Sequence, residues 1–478
     1  MATIIATLTP CSKYAETGIS QAVKKCGVNS NIIQTGMDTY HFALDVATRQ
    51  RPTNVIPSKT YDTWKLGKGS RDLDVDFLIS PGSKNVLQIM AEFYFHPSGG
   101  GLMLKVPSKI TLRFHSYKHE VVLDKGQSIY LYDNVTIEFD NKFRFDLEYI
   151  HENIHSVTLA RTRLLEEKKF IVAKDILAIP NNPPYIIKDY VDHEQGIDWH
   201  EERPGGRRTG GVHIWSGLPV LLKQAYIPKA IDPQDRLSSE TFDRSLQFWD
   251  RLPESSHVTR LDHYEKKDLG ERFAYTIITP KPTDPFSVYF FQKRRRNPIK
   301  TLSLFRDVLE GIANVHQQGL ALNNISVDNL LVVCYNDGAA PRYKGVLSDL
   351  TRLSEEKPTH YDLDHIPPEW SKATVWAITQ HAKKATFSPQ AVDLYDYAFK
   401  YLECLKTKRI DPDSIPPESM SGIKYLFEGV EAAPWELEFI KGILTEPITE
   451  PNRRTAWDLL NDEVWGKLEG ASAGLYFE

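Results

Sequence analysis

Two short stretches carry residue types that handle cations and phosphate. One is Leu322-Asn323-Asn324-Ile325-Ser326-Val327-Asp328-Asn329, and the other is Ser348-Asp349-Leu350-Thr351. Carboxylate and amide oxygens are hard donors of the kind that magnesium prefers. An amide such as Asn324, by contrast, cannot accept a proton at neutral pH. Upstream, Gly205-Gly206-Arg207-Arg208-Thr209-Gly210-Gly211-Val212 is a run in which backbone amides can approach a phosphate, or which simply forms a surface turn. Lys223 closes the apolar run Val220-Leu221-Leu222 and supplies a point charge.

These residues sit in a chain of 478, long enough for two or three domains with full cores. A composition of 41% hydrophobic and 25% charged residues is that of a globular protein, and a net charge of −5 gives no global reason to bind nucleic acid. Cys11, Cys26, Cys334 and Cys404 are scattered without zinc spacing, so buried thiols in a reducing compartment are expected. No secretory leader and no membrane-length apolar run is apparent, which predicts a cytoplasmic or nuclear protein without a membrane partner. The basic run Lys293-Arg294-Arg295-Arg296 reads as a solvated loop, with nuclear import or phosphate contact as the alternatives.

The elements that must position the chemistry fall into an order. Residues 1–40 show no strong period and are expected to form an N-terminal arm. From 41 to 150, short alternating runs such as Met90–His96, Leu102–Val106, Ile110–Phe114 and Val135–Phe139, separated by turn formers, predict a β-sandwich. Residues 151–184 read as a linker with a charged helix, ended by Pro180-Asn181-Asn182-Pro183-Pro184. Beyond it, strand-like runs give way to helices. The clearest helix places Leu304, Phe305, Val308, Leu309, Ile312 and Val315 on one face. A small β-rich lobe (about 185–290), a larger helical lobe (about 300–470) and a tail (471–478) follow. The fold class is multidomain: an all-β sandwich, then an α+β bilobal domain.

From about Tyr185 to Leu468 the motifs resemble a eukaryotic protein kinase domain. Gly319-Leu320-Ala321, the 322–329 loop, Asp349, Pro368-Glu369, Val392-Asp393-Leu394-Tyr395 and Glu450-Pro451-Asn452-Arg453-Arg454-Thr455 occur in family order. The resemblance implies ATP with Mg²⁺ or Mn²⁺ as cofactors. Gly205, Gly210, Val212 and Lys223 would then bind nucleotide, and Asn329 and Asp349 would hold metal. Glu369 would pair with Arg453, and Asp393 would be structural. The family's catalytic loop reads H-R-D-L-K-x-x-N, and here Asn324 stands at the base position and Ser326 at the lysine. Thr351 replaces the glycine of D-F-G, while Leu322 and Leu350 keep the packing character of the family's histidine and phenylalanine. The helix over Glu240–Leu252 offers Ser245 where a glutamate anchors the family's lysine, with Asp243 or Glu240 as substitutes.

The N-terminal segments Trp64–Ser70, Met90–Pro97 and Leu123–Leu131 resemble a forkhead-associated domain, an eleven-stranded sandwich that reads phosphothreonine. Lys68 stands for the family's arginine, Leu87 opens the segment matching S-R-x-H, and Ser108 retains one loop hydroxyl. Lysine holds phosphate without arginine's fork, and Leu87 offers no hydrogen bond. The resemblance therefore implies protein partners rather than phosphothreonine peptides.

This domain order is similar to that of fungal checkpoint and meiotic kinases. The leading expectation is a pseudokinase scaffold for protein–protein interaction. An atypical active Ser/Thr kinase or other ATP-dependent transferase is the alternative, and a purely structural part of a larger assembly is the third reading.

Overall fold

The computed structural model describes residues 3–28, 31–46, 63–68, 75–80, 84, 86–152, 154–167, 179–180, 184–192, 208–229, 238–281, 284–292, 298–336, 341–357, 359–362, 384–410, 426–430, 432–448 and 452–468. Packing divides the chain into two compact units, Met1–Leu222 and Lys223–Glu478.

In the first unit, residue-by-residue alternation sets the fold. The strands are β1 (Ile4–Pro10), β2 (Ile32–Gly36), β3 (Thr39–Asp45), β4 (Thr63–Gly67), β5 (Phe77–Leu78), β6 (Ala91–Phe95), β7 (Leu102–Lys105), β8 (Ile110–Phe114), β9 (Glu120–Leu123), β10 (Ser128–Tyr130), β11 (Val135–Phe139) and β12 (Phe143–Tyr149). They form a seven-stranded sheet, β2-β3-β1-β12-β11-β8-β9, and a five-stranded sheet, β10-β7-β6-β4-β5. In β12, Phe143, Phe145, Leu147 and Tyr149 are buried while the residues between them are not. Trp64, Phe77, Phe93 and Phe95 join them in one core.

Residues 1–40 are not the expected arm. β1 lies inside the larger sheet, with Ala6 opposite Leu44 on one side and Tyr149 on the other. Helix α1 (Lys13–Cys26) is capped by the Ser12 side chain and buries Ala15, Ile19 and Ala22. A strand whose partner lies some 140 residues away leaves little trace in a local sequence window. Helix α2 (Ile154–Glu167) follows the sandwich, as the charged Leu-bearing stretch predicts.

A second correction concerns the boundary at 184–185. Strands β13 (Tyr185–Ile187), β14 (Tyr190–Asp192) and β15 (Arg208–His213) pair antiparallel and pack with the sandwich in the first unit. The turn after β15 is seated tightly there. The Tyr130 N–H donates to the Ile214 carbonyl at 2.7 Å. A Cβ on Gly99 would lie 2.1 Å from the Gly217 carbonyl oxygen, and Gly217 itself has φ +71°. Two backbones approach here as only glycine permits. From α2, buried Arg161 donates to the Gly100 carbonyl at 3.0 Å.

The division between units falls within β16 (Pro219–Pro228). In the second unit the strand order is β16-β18-β17, with β17 spanning His263–Asp268 and β18 Arg272–Pro280. Helix α3 (Ser239–Asp250) precedes β17, matching the expected helix. Helix α4 (Pro298–Gln317) buries the predicted face of Leu304, Phe305, Val308, Leu309, Ile312 and Val315. Strands β19 (Asp284–Pro285), β21 (Leu330–Asn336) and β22 (Pro341–Leu347) make a small sheet, and β20 (Leu320–Ala321) pairs with Ser354–Glu355. Helices α5 (Pro389–Lys406) and α6 (Pro434–Thr445) complete the core, where the Phe305 and Tyr401 rings stack at 4.0 Å.

Cys11 and Cys26 are exposed, contrary to the expectation of buried thiols, whereas Cys404 is buried. Among the described residues, no helix is long and apolar enough to cross a membrane. The basic run 293–296, Gly205 and the Pro368-Glu369 pair lie outside the described residues.

Candidate functional site

The site in the second unit is built on one buried carboxylate. Asp393, on α5, is fully buried and accepts hydrogen bonds from the Leu322 N–H at 2.7 Å and the Asn323 N–H at 2.9 Å. His316 Nε2, at the end of α4, lies 2.9 Å from the same carboxylate. A residue of α5 thus fixes the start of the 322–329 loop. Asn323 takes a left-handed backbone, φ +58°, and its side-chain amide donates to the Arg352 carbonyl and to Ser354 Oγ, each at 2.9 Å. Leu322 and Leu350 are both buried in the unit's core. Their apolar character is what their packing requires.

The rest of the loop is held by its own backbone. The Ser326 carbonyl accepts the Asn329 N–H at 2.9 Å and the Leu330 N–H at 3.0 Å, while Ser326 Oγ accepts the Asp328 N–H at 3.2 Å. That hydroxyl is a turn-former here. Asn329 is buried, and its carbonyl accepts the Ser348 N–H at 2.9 Å, tying the loop to the segment that carries Asp349. Asn324 is half-buried, and among the described residues its side chain makes no hydrogen bond. Asp328 pairs with Arg409, which follows α5, an ion pair that sequence reasoning did not find.

Strand β16 alternates, burying Val220, Leu222 and Gln224 and sending Lys223 to the other face. Lys223 Nζ lies 2.6 Å from both carboxylate oxygens of Asp349. Thr351 Oγ1 donates to Asp349 Oδ1 at 2.8 Å. Asp349, like Asn323, has a left-handed backbone, φ +59°. Helix α3 supplies no anchor for Lys223. Ser245 Oγ donates instead to the Leu350 carbonyl at 3.1 Å, and Asp243 is held by Lys266 at 2.6 Å.

A divalent cation would need oxygen donors with free lone pairs, and a single carboxylate is offered. Both oxygens of Asp349 face the Lys223 ammonium, and one also accepts Thr351. In this geometry a divalent ion at Asn329 and Asp349 would have to share or displace the Lys223 ammonium from the Asp349 carboxylate. Among the described residues, no group of three or more His, Cys, Asp or Glu side chains has metal-site geometry.

The remaining expected residues stand as follows. Gly210 and Val212 lie on β15 in the first unit, where Val212 is fully buried and paired opposite Val191. The buried Arg453 donates to the carbonyls of Glu446 and Ile443. Burial pushes its pKa down to about 10. Its expected partner, Glu369, is outside the described residues. On the sandwich, the Lys68 N–H donates to the Leu87 carbonyl at 3.2 Å, bringing those two expected loop positions together. A Cβ on Gly67 would lie 2.2 Å from the Gln88 carbonyl oxygen. Leu87 is 42% exposed and presents an apolar side chain with no hydrogen-bond donor. Ser108 lies in the turn between β7 and β8, half-buried.

The described residues thus form an antiparallel β-sandwich unit and a mixed α/β unit that holds the Asp393-anchored loop and the Lys223–Asp349 pair. No protein-family model matches the chain, and no curated protein matches it. Among solved structures, it is similar to a crystal structure of Rad53 1–466 in complex with AMP-PNP, with 15% identity and a TM-score of 0.43 over 84% of this chain and 90% of that one. It is also similar to the yeast RNA Pol II CTD kinase CTDK-1 complex, with 10% identity and a TM-score of 0.42 over 59% of this chain and 94% of that one.

Proposed function

We propose that this protein is a catalytically impaired, protein kinase-like signalling scaffold. Its forkhead-associated-like sandwich serves protein contacts rather than phosphothreonine reading. One observation carries the reading: the position that must accept the substrate proton holds Asn324, an amide, in a loop whose fold is otherwise maintained by Asp393. Phosphoryl transfer depends on positioning and on charge at the moving group. The second loss lies at Ser326, whose hydroxyl is used to form the loop and cannot supply the positive charge of a lysine. Loss of a general base alone costs typically ~10²- to 10⁴-fold.

An active, atypical Ser/Thr kinase is the second reading, favoured by the retention of Lys223, Asn329 and Asp349. ATP is the nucleotide class either reading would take. Phosphate transfer from ATP to a generic protein substrate separates the two. The scaffold reading expects no transfer by the wild type, and a rate that Asp349→Ala abolishes would refute it. If Asn324→Asp alone turns a null rate into a measurable one, erosion of an ancestral site is supported.

A further inference from the structure

Lys223 and Asp349 form a partly buried ion pair at the candidate site. We infer that Lys223 is a resident counter-cation that excludes divalent ions from Asp349, an inference that rests on the kinase-like reading of this site. Three features support it. The ammonium approaches both carboxylate oxygens at 2.6 Å, so a divalent ion binding either oxygen meets a cation already in contact with it. Thr351 Oγ1 donates to Oδ1 at 2.8 Å, occupying a second acceptor site on that oxygen. A glycine at position 351 would have left that acceptor site open.

The third feature is that Lys223 has no alternative carboxylate on α3. An incoming cation must expel the ammonium, and the cost of that depends on where it can go. Side-chain exposures are only 18% for Lys223 and 10% for Asp349, so water does not readily replace the lost partner. Ser245 is buried and donates its proton to the Leu350 carbonyl. Asp243 is bonded to Lys266 at 2.6 Å, on the β17 side of the helix. A glutamate reaching Lys223 from α3 would share the ammonium and free one face of Asp349. This chain has none there, so metal and lysine compete for one carboxylate.

The test is Mn²⁺ titration of the full-length chain, without nucleotide, read by electron paramagnetic resonance of bound and free Mn²⁺. Wild type is expected to show no Mn²⁺ that depends on Asp349. Lys223→Met should bind Mn²⁺ at least about tenfold more tightly, and adding Asp349→Asn to that variant should remove the gain. Circular dichroism verifies that each variant is folded, and Lys223→Ala serves if the methionine variant is not. Mn²⁺ bound by the wild type and lost in Asp349→Asn overturns the inference, as does a folded Lys223 variant with no gain. The assay holds neither ATP nor protein substrate, so its failure leaves impaired catalysis standing. Phosphate transfer that persists in excess chelator would refute impaired catalysis and leave metal exclusion intact.

Discussion

Replacing Asp393 tests whether one buried carboxylate holds the candidate site together. Asp393→Ala removes the acceptor for the Leu322 and Asn323 amides and the partner of His316. The Leu322 N–H is buried, and an orphaned buried donor costs ~1–3 kcal/mol. With the Asn323 amide half-buried and a cavity added, the expected loss is ~3–5 kcal/mol. Asp393→Asn keeps one oxygen but presents an NH₂ where a second acceptor is needed, so a smaller loss of ~1–3 kcal/mol is expected. Urea unfolding followed by tryptophan fluorescence measures both, fitted with two transitions because the chain has two compact units. Hydrogen exchange at the Leu322 and Asn323 amides should accelerate in the same order, alanine above asparagine above wild type. Two variants within ~0.5 kcal/mol of wild type, with unchanged exchange, would refute the anchoring role.

Lys281 gives a pH prediction. Burial pushes its pKa from 10.5 down to about 8. The whole shift corresponds to ~3 kcal/mol at 1.36 kcal/mol per unit, and partial solvation reduces the usable part to ~1–2 kcal/mol. The penalty is full below pH 8 and is relieved as pH rises to 10.5, because the folded form sheds its proton first. Lys281→Met should therefore raise stability at pH 7, with the difference shrinking between pH 8 and 10.5; a pH-independent difference would contradict this. At the seam inside the first unit, Gly99→Val would place a Cβ 2.1 Å from the Gly217 carbonyl oxygen. It should lower the stability of that unit by ~2–4 kcal/mol in thermal unfolding while leaving the other transition in place. Leu322→Ala empties a core position beside the loop and should cost the second unit ~2–4 kcal/mol by the same measurement.

Local pattern made much of the fold legible. The repeat of Leu304, Phe305, Val308, Leu309, Ile312 and Val315 specified α4, because a helix presents residues three and four apart on one face. Alternation specified β6, β8 and β11, and the motifs singled out in the chain name Lys223, Asp393 and the 322–329 loop, all of which lie in the second unit. Partners distant in sequence were not legible. β1 pairs with β12 across about 140 residues, so no local window shows that residues 4–10 belong to the sandwich. The packing of β13–β15 with the sandwich likewise depends on the close approach of Gly99 to Gly217.

For the site, residue type by itself determined that Asn324 is no base and that Ser326 carries no charge, because those are properties of an amide and a hydroxyl. Tertiary structure alone decided which partner Lys223 takes. The absence of a glutamate at Ser245 could be read from the chain, but the sequence does not say where an unanchored ammonium goes. The fold places Asp349 2.6 Å away and turns Thr351 onto the same carboxylate. A charge in a partly buried site takes the nearest counter-charge that the backbone brings within reach.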